Sequence, residues 1–182
     1  MAADGVPMYA RKLSPAEVLD RIDRYWRPYH AELDAMLDAH VNRFGAVWHL
    51  NCHSMPAVGD ARSDDPGRER ADFVLGDRDG TTCEPVFTQL VADTLRQMGY
   101  AVAVNDPYKG VEIVRKHGRP AEQRHSLQIE IKRTLYMDEV TFAPNAGFLR
   151  LEADLARLTA TIAGRLRERL EIAAAPHTGA ES

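Results

Sequence analysis

Apolar residues return every three or four positions from Val18 through Ile22, Tyr25, Trp26, Tyr29, Leu33, Met36, Leu37 and Val41, the spacing of one face of a helix. Ser14-Pro15-Ala16-Glu17 gives that helix a start: Ser14 can cap, Pro15 suits the first turn, and Glu17 can reach back to complete a capping box. The pattern predicts an inward-facing stripe to about Phe44, bent or briefly broken at Pro28, which lacks an N–H and crowds the preceding turn. After Gly45 the pattern changes. Residues 46–52 form a short apolar run ending in His53-Ser54-Met55-Pro56, which predicts a buried strand feeding a loop, with His53 at its C-terminal edge.

Further along, Val86, Phe87, Leu90, Val91 and Leu95 predict a second helix over residues 84–98, closed by Gly99. Residues 101–104 read as another strand, running into the polar turn Asn105-Asp106-Pro107-Tyr108-Lys109-Gly110. The clearest alternation is Leu127-Gln128-Ile129-Glu130-Ile131-Lys132, which puts three aliphatics on one face and a polar working face on the other. Leu149, Leu151, Leu155, Leu158, Ile162 and Leu166 predict a last helix over residues 147–172, followed by a flexible tail, 173–182. Residues 57–70, rich in Asp, Arg, Gly and Pro, are expected to be an exposed mobile loop. Strands alternating with helices indicate one α/β domain over residues 1–182 with an ordered core of about 13–172. Ligands in such folds gather beyond the carboxyl ends of the strands, where His53, Asn105-Asp106 and Glu130 are expected.

Composition narrows the chemistry. At 182 residues, 45% hydrophobic and with a net charge of −4, the chain suits a single core and offers no basic field for nucleic acid or an anionic membrane surface. No uncharged apolar run approaches the ~20 residues of a membrane span, and residues 1–12 lack the apolar centre of a signal peptide, so a cytoplasmic location is expected. Cys52 and Cys83 are too few and too far apart for a disulfide framework or a CxxC motif and read as reduced packing residues.

Several side chains could do chemistry. His53 at a strand end is either a metal ligand or a hydrogen-bonded loop residue. His49 cannot share a metal with it, because four residues along a strand separate them by ~13 Å. Glu130, acidic in an aliphatic strand, is either exposed on an edge or a general base able to take a proton from water and deliver it to a leaving amine. Arg115, His117, Arg119, Arg124 and His125 form a cationic run that is either a solvated loop or a clamp for a dicarboxylate, which Arg binds in bidentate fashion.

Taken in order, these segments resemble the N-formylglutamate amidohydrolase family of zinc-exopeptidase-like hydrolases. The resemblance rests on Tyr29-His30, Asn51-Cys52-His53-Ser54-Met55-Pro56, Leu75-Gly76-Asp77-Arg78-Asp79-Gly80-Thr81, Asn105 to Gly110, His117-Gly118-Arg119-Pro120 and the run from Leu127 to Met137. It implies a phosphorylase/hydrolase-like α/β fold, with a mixed or mostly parallel sheet flanked by helices. The implied reaction is zinc-dependent hydrolysis of N-formyl-L-glutamate to formate and L-glutamate, a step of histidine degradation. By the same resemblance His53 is a zinc ligand and Glu130 the catalytic carboxylate, with substrate contacts from Asn105, Tyr108, Lys109 and Arg133. Arg115 and Arg119 are added from the cationic run. Members of the family usually begin with a segment bearing a Pro-His-Ser-Gly phrase that supplies a further His and a carboxylate. Its lack here implies an N-terminally truncated domain with an incomplete zinc site, and Lys132 stands where the family more often has Asn. Two readings follow: an amidohydrolase, or a catalytically incomplete remnant that binds a carboxylate or a protein partner. A sheet short of its first strands also exposes an edge, which invites a homo-oligomer.

Overall fold

A computed structural model describes residues 7–174. The first helix begins as its sequence dictates: Ser14 Oγ accepts from Glu17 N–H and a Glu17 carboxylate oxygen accepts from Ser14 N–H, closing the capping box. Helix α1 (Pro15–Arg21) runs through a wide π turn (Ile22–Trp26) into α2 (Arg27–Phe44), which ends at Gly45 in the left-handed conformation. The carbonyl that Pro28 would crowd in an α-helix is that of Arg24, four residues back. It lies inside the wide turn, so the expected break at Pro28 is absorbed just upstream without ending the helix.

Strands β1 (Val47–Met55), β2 (Phe73–Gly76), β3 (Val102–Val104) and β4 (Arg124–Lys132) form one mixed sheet in the order β1-β4-β2-β3. β1 and β4 are parallel, β2 and β3 are parallel, and the two pairs meet in opposite senses at β4 and β2. β1 continues three residues beyond the expected end at Cys52, so His53 lies within the strand. The shorter elements β2 and α4 (Glu112–His117) were not expected from the pattern.

The aliphatic face of β4 does what its alternation predicts. Leu127 and Ile129 join Phe73, Leu75 and residues of α3 (Pro85–Gln97) and α5 (Phe148–Ala174) in the core, through Phe87, Val91, Leu95, Leu151, Leu158 and Ile162. Val86 and Leu149, expected inside, are instead 75% and 73% exposed, because α3 and α5 turn other residues toward the sheet. Helix α5 runs past the expected 172 to Ala174, and the rest of the expected tail lies outside the described residues.

The opposite face of β4 is polar, and it is also buried. Ser126 and Gln128 are fully covered, and Arg124 is held in paired hydrogen bonds to Asp34 and Asp38 of α2 at 2.7 Å each. His117 of α4 bridges the two layers: its Nδ1 lies 2.8 Å from Asp34 Oδ1 and its Nε2 2.7 Å from His30 Nδ1. With the Asp34 carboxylate accepting from His117 Nδ1–H, a neutral His117 can only accept at Nε2, which makes His30 Nδ1 the donor. This polar layer explains the largest correction to the helical stripe. α2 turns His30, Asp34 and Leu37 toward the sheet, while Val18, Tyr25, Tyr29 and Met36 face outward.

Residues 57–70 are not the loose loop their composition suggests. Asp65 and Arg70 form an ion pair with side chains only 4% and 1% exposed, and Val58 bridges Glu69 across the base. Such a pair is costly to break, since either charge alone would be left buried.

Candidate active site

Parallel pairing of β1 and β4 sets His53 beside Glu130 and, one step inward on the same face, Asn51 beside Gln128. Neighbouring strands lie ~4.8 Å apart, so the imidazole and the carboxylate rise from adjacent backbone positions near the carboxyl ends of both strands. His53 is exposed, whereas Glu130 is only 8% exposed. β4 is a central strand, so edge exposure does not account for Glu130.

Gln128 Nε2 donates to Glu130 Oε1 at 2.9 Å, and Gln128 Oε1 accepts from Val111 N–H at 2.8 Å. The Gln128 amide is thereby fixed at both ends, and it fixes one oxygen of Glu130. Burial raises the Glu130 pKa, while His53, the Gln128 hydrogen bond, Arg133 and Arg70 act against that rise. A carboxyl group shifted upward by desolvation, with one oxygen held by a single amide donor, is suited to exchange a proton with a bound water.

Two loops wall this floor. The Asn105–Gly110 turn leaves β3 in the opposite sense from β1 and β4, so the expectation that all the polar clusters share one set of strand ends is wrong. The turn reaches the site by crossing Gly76, where an added Cβ would lie 2.7 Å from the backbone of Lys109 and Gly110. Tyr108 arrives there beneath Arg70, whose guanidinium carbon is 5.0 Å from the Tyr108 ring centre. Burial raises the Tyr108 pKa, with Arg70 opposing and the charges of Asp65 and Glu130 adding to the rise. Arg68 ties the two walls through a bidentate contact with Asp106 at 2.6 and 2.9 Å.

The other residues expected to bind substrate fall into separate places. Arg133 lies against β1, with Nε 3.3 Å from Ser54 Oγ, and acts electrostatically on Glu130. Asn105 is a strut: its Oδ1 accepts from Asp77 N–H and its Nδ2 donates to Asp77 Oδ1. Lys109 pairs with Asp79 on the surface, Arg115 with Glu112 along α4, and Arg119 with Glu122. The cationic run is therefore not a single cluster. Arg124 and His117 belong to the buried layer under α2, and His125 packs on the other face of the sheet against Trp48. Cys52 is exposed on the edge strand and Cys83 is buried, so only the second is a packing residue.

Sequence reasoning passed over Arg70, Gln128 and Asn51. Gln128 and Asn51 could have been found by pairing the two strands on their polar positions. Arg70 is marked only by standing next to a fully buried strand.

Zinc does not fit the side chains gathered here as a complete site. Among the described residues no group of three His, Cys, Asp or Glu side chains could hold a metal ion, and a catalytic zinc ordinarily takes three protein ligands. His49 is turned to Ser126 Oγ, 2.9 Å away, and Asp65 is held by Arg70.

Comparison with known proteins identifies relatives of the fold and of the sequence. A crystal structure of N-formylglutamate amidohydrolase from Ralstonia eutropha JMP134 superposes with a TM-score of 0.78 at 54% identity, covering 90% of this chain and 59% of that one. A gene product of Agrobacterium tumefaciens, 20% identical with a TM-score of 0.61, shares the fold. N-formylglutamate deformylases of Pseudomonas putida and Pseudomonas aeruginosa are each 31% identical, over 75% and 92% of this chain. The chain spans 51% and 60% of the length of those two relatives. With the N-formylglutamate amidohydrolase family model matching residues 1–137 as well, the chain belongs to the N-formylglutamate amidohydrolase family.

Proposed function

We propose that this chain carries the proton-transfer half of a site that hydrolyses the formyl amide of N-formyl-L-glutamate to formate and L-glutamate. The observation that carries the reading is the pairing of His53 with a buried, upward-shifted Glu130 on adjacent strands. The names of the relatives supply the substrate class.

Glu130 takes a proton from the attacking water and returns it to the departing nitrogen of glutamate. Gln128 holds one carboxylate oxygen, which leaves the other for the water. Arg133, beside Ser54 and acting electrostatically on Glu130, is the group assigned in this reading to a carboxylate of the substrate. Zinc, when bound in a family site, polarises the formyl oxygen and acidifies water. His53 is the donor this chain would offer to it.

The lack of a three-donor group among the described residues favours a second reading, in which the chain binds the carboxylate ligand without turnover. Formate release from N-formyl-L-glutamate by the purified chain, with metal content measured on the same sample, separates the two. Turnover abolished by Glu130→Gln supports the first. Saturable ligand binding with no formate release supports the second, and neither binding nor release refutes both.

A further inference from the structure

We propose that the open edge of β1 pairs antiparallel with the β1 edge of a second copy of this chain, joining the two sheets across a two-fold axis at Leu50. β1 is an edge strand of nine residues, and among the described residues it pairs with β4 alone. Val47 N–H donates to the Gln123 carbonyl at 2.9 Å, and Val47 is in register with Arg124. In a parallel pair alternate residues turn both backbone groups toward the neighbour. Val47, His49, Asn51 and His53 therefore face β4, while Trp48, Leu50, Cys52 and Ser54 turn their N–H and C=O groups outward. The outward run has a defined end, because the Ser54 carbonyl accepts from the Arg133 guanidinium at 3.4 Å. Trp48, Leu50 and Cys52 keep outward groups that no backbone hydrogen bond among the described residues takes up.

Three outward residues at even spacing are complementary to themselves when reversed. With the axis at Leu50, Leu50 meets the partner's Leu50 and Trp48 meets the partner's Cys52. Each opposed pair exchanges two bonds, about six in all. This register leaves Ser54 to Arg133. It also sets a large side chain opposite a small one, on the face where Trp48 and Leu50 already touch the apolar core. Electrostatics permit the contact: β1 carries no Asp, Glu, Lys or Arg, so two copies of a chain of net charge −4 meet along an uncharged strand. The devices that ordinarily protect an edge, a lysine, a proline or a very short strand, are missing from β1. The opposite edge, β3, is three residues long, and Arg96 covers its Val102 carbonyl at 3.2 Å. Beside α5, cavities of about 300 and 420 Å³ open at the Ser54 and Trp48 ends of β1, so the helix leaves the edge accessible.

Sedimentation of the 182-residue chain from micromolar to several hundred micromolar should show a reversible monomer–dimer equilibrium. Amide hydrogen exchange at Trp48, Leu50 and Cys52 should slow as the dimer forms. Cys52→Pro removes one outward N–H and spares the β4 ladder, since proline is tolerated on an edge strand where the N–H faces outward. It should weaken dimerisation at least about tenfold while the monomer still melts cooperatively. The register is read separately. In a Cys52→Ser background, Leu50→Cys should oxidise to an interchain disulfide, because directly opposed residues lie ~5.5 Å apart at Cα. Cys52 of the unchanged chain, ~14 Å from its counterpart, should not crosslink. A monomer at every concentration would overturn the proposal, as would a dimer whose Trp48, Leu50 and Cys52 amides exchange as fast as the monomer's. Ready crosslinking through Cys52 would overturn the register at Leu50. Growth into open filaments would overturn the closed two-fold contact in favour of head-to-tail pairing. If Cys52→Pro fails to fold, sedimentation and exchange of the unchanged chain still decide.

Discussion

Glu130 shows how a residue's chemistry and its cost to the fold come from one cause. Burial raises its pKa, so the folded chain holds that proton more tightly than the unfolded chain. The sign follows: the stability this group contributes is present below its unfolded pKa and is lost as pH rises through the folded value. Glu130→Gln, which keeps the shape and the acceptor for Gln128, should therefore be more stable than the parent at neutral pH, with the gap closing on acidification. Paired thermal melts across that range check it, and a gap that widens on acidification would contradict the burial argument. In any active preparation the same substitution should lower turnover at least ~10²-fold. Arg133→Lys should lower kcat/KM about tenfold, because an ammonium cannot reproduce a bidentate grip on a carboxylate. Unchanged kinetics would remove Arg133 from the clamp. The alternation around β4 made Glu130 legible in the sequence. The roles of Gln128 and Arg70 were not, because they depend on contacts between distant segments and on a loop fold that no local pattern encodes.

Elements were legible in proportion to how far local pattern decides them. The capping box, α3, β3 and α5 could be read because caps, periodicity and turn residues act over a few positions. β2 is four residues buried on both faces and shows no alternation, and α4 is six residues, too few to display a helical period. The stripe on α1 and α2 misled for a different reason: the sheet face beneath α2 is polar, so the helix is held by His30 and Asp34, with Leu37 the one fully buried member of its apolar row among the described residues. α1 buries no residue. Ser14→Ala, worth about 1 kcal/mol at a cap, should accordingly fray α1 and lower helical circular dichroism slightly while leaving the main melting transition in place. The 57–70 segment gives the opposite case. Arg70→Ala would strand the buried Asp65 and should cost about 3–5 kcal/mol by chemical denaturation. Limited proteolysis should then cut within 57–70 in the variant and spare the parent. Equal resistance would show that the ion pair is not what holds the loop.

At the scale of the whole molecule, the sheet divides two tasks between its faces. One face joins α3 and α5 in the apolar core, while the other buries a polar layer that is covered by α2 and α4 at one end and opens at His53 and Glu130 at the other. Among the described residues no helix is long and apolar enough to cross a membrane. The donor set leads to the prediction with the widest reach, that this chain binds zinc weakly and releases formate slowly or not at all. His53 offers one imidazole, Glu130 is needed for proton transfer, and two further acidic groups near the site are engaged, Asp65 with Arg70 and Asp106 with Arg68. A metal held by one imidazole and water lacks the closed set of three protein donors that keeps a catalytic zinc in place. Dialysis against a mild chelator followed by metal analysis should therefore leave the chain nearly free of zinc, and His53→Ala should change that residual content little. Zinc retained at one equivalent through the same dialysis, lost in His53→Ala and accompanied by formate release, would show that the chain assembles a full ligand set from side chains the present arrangement keeps apart.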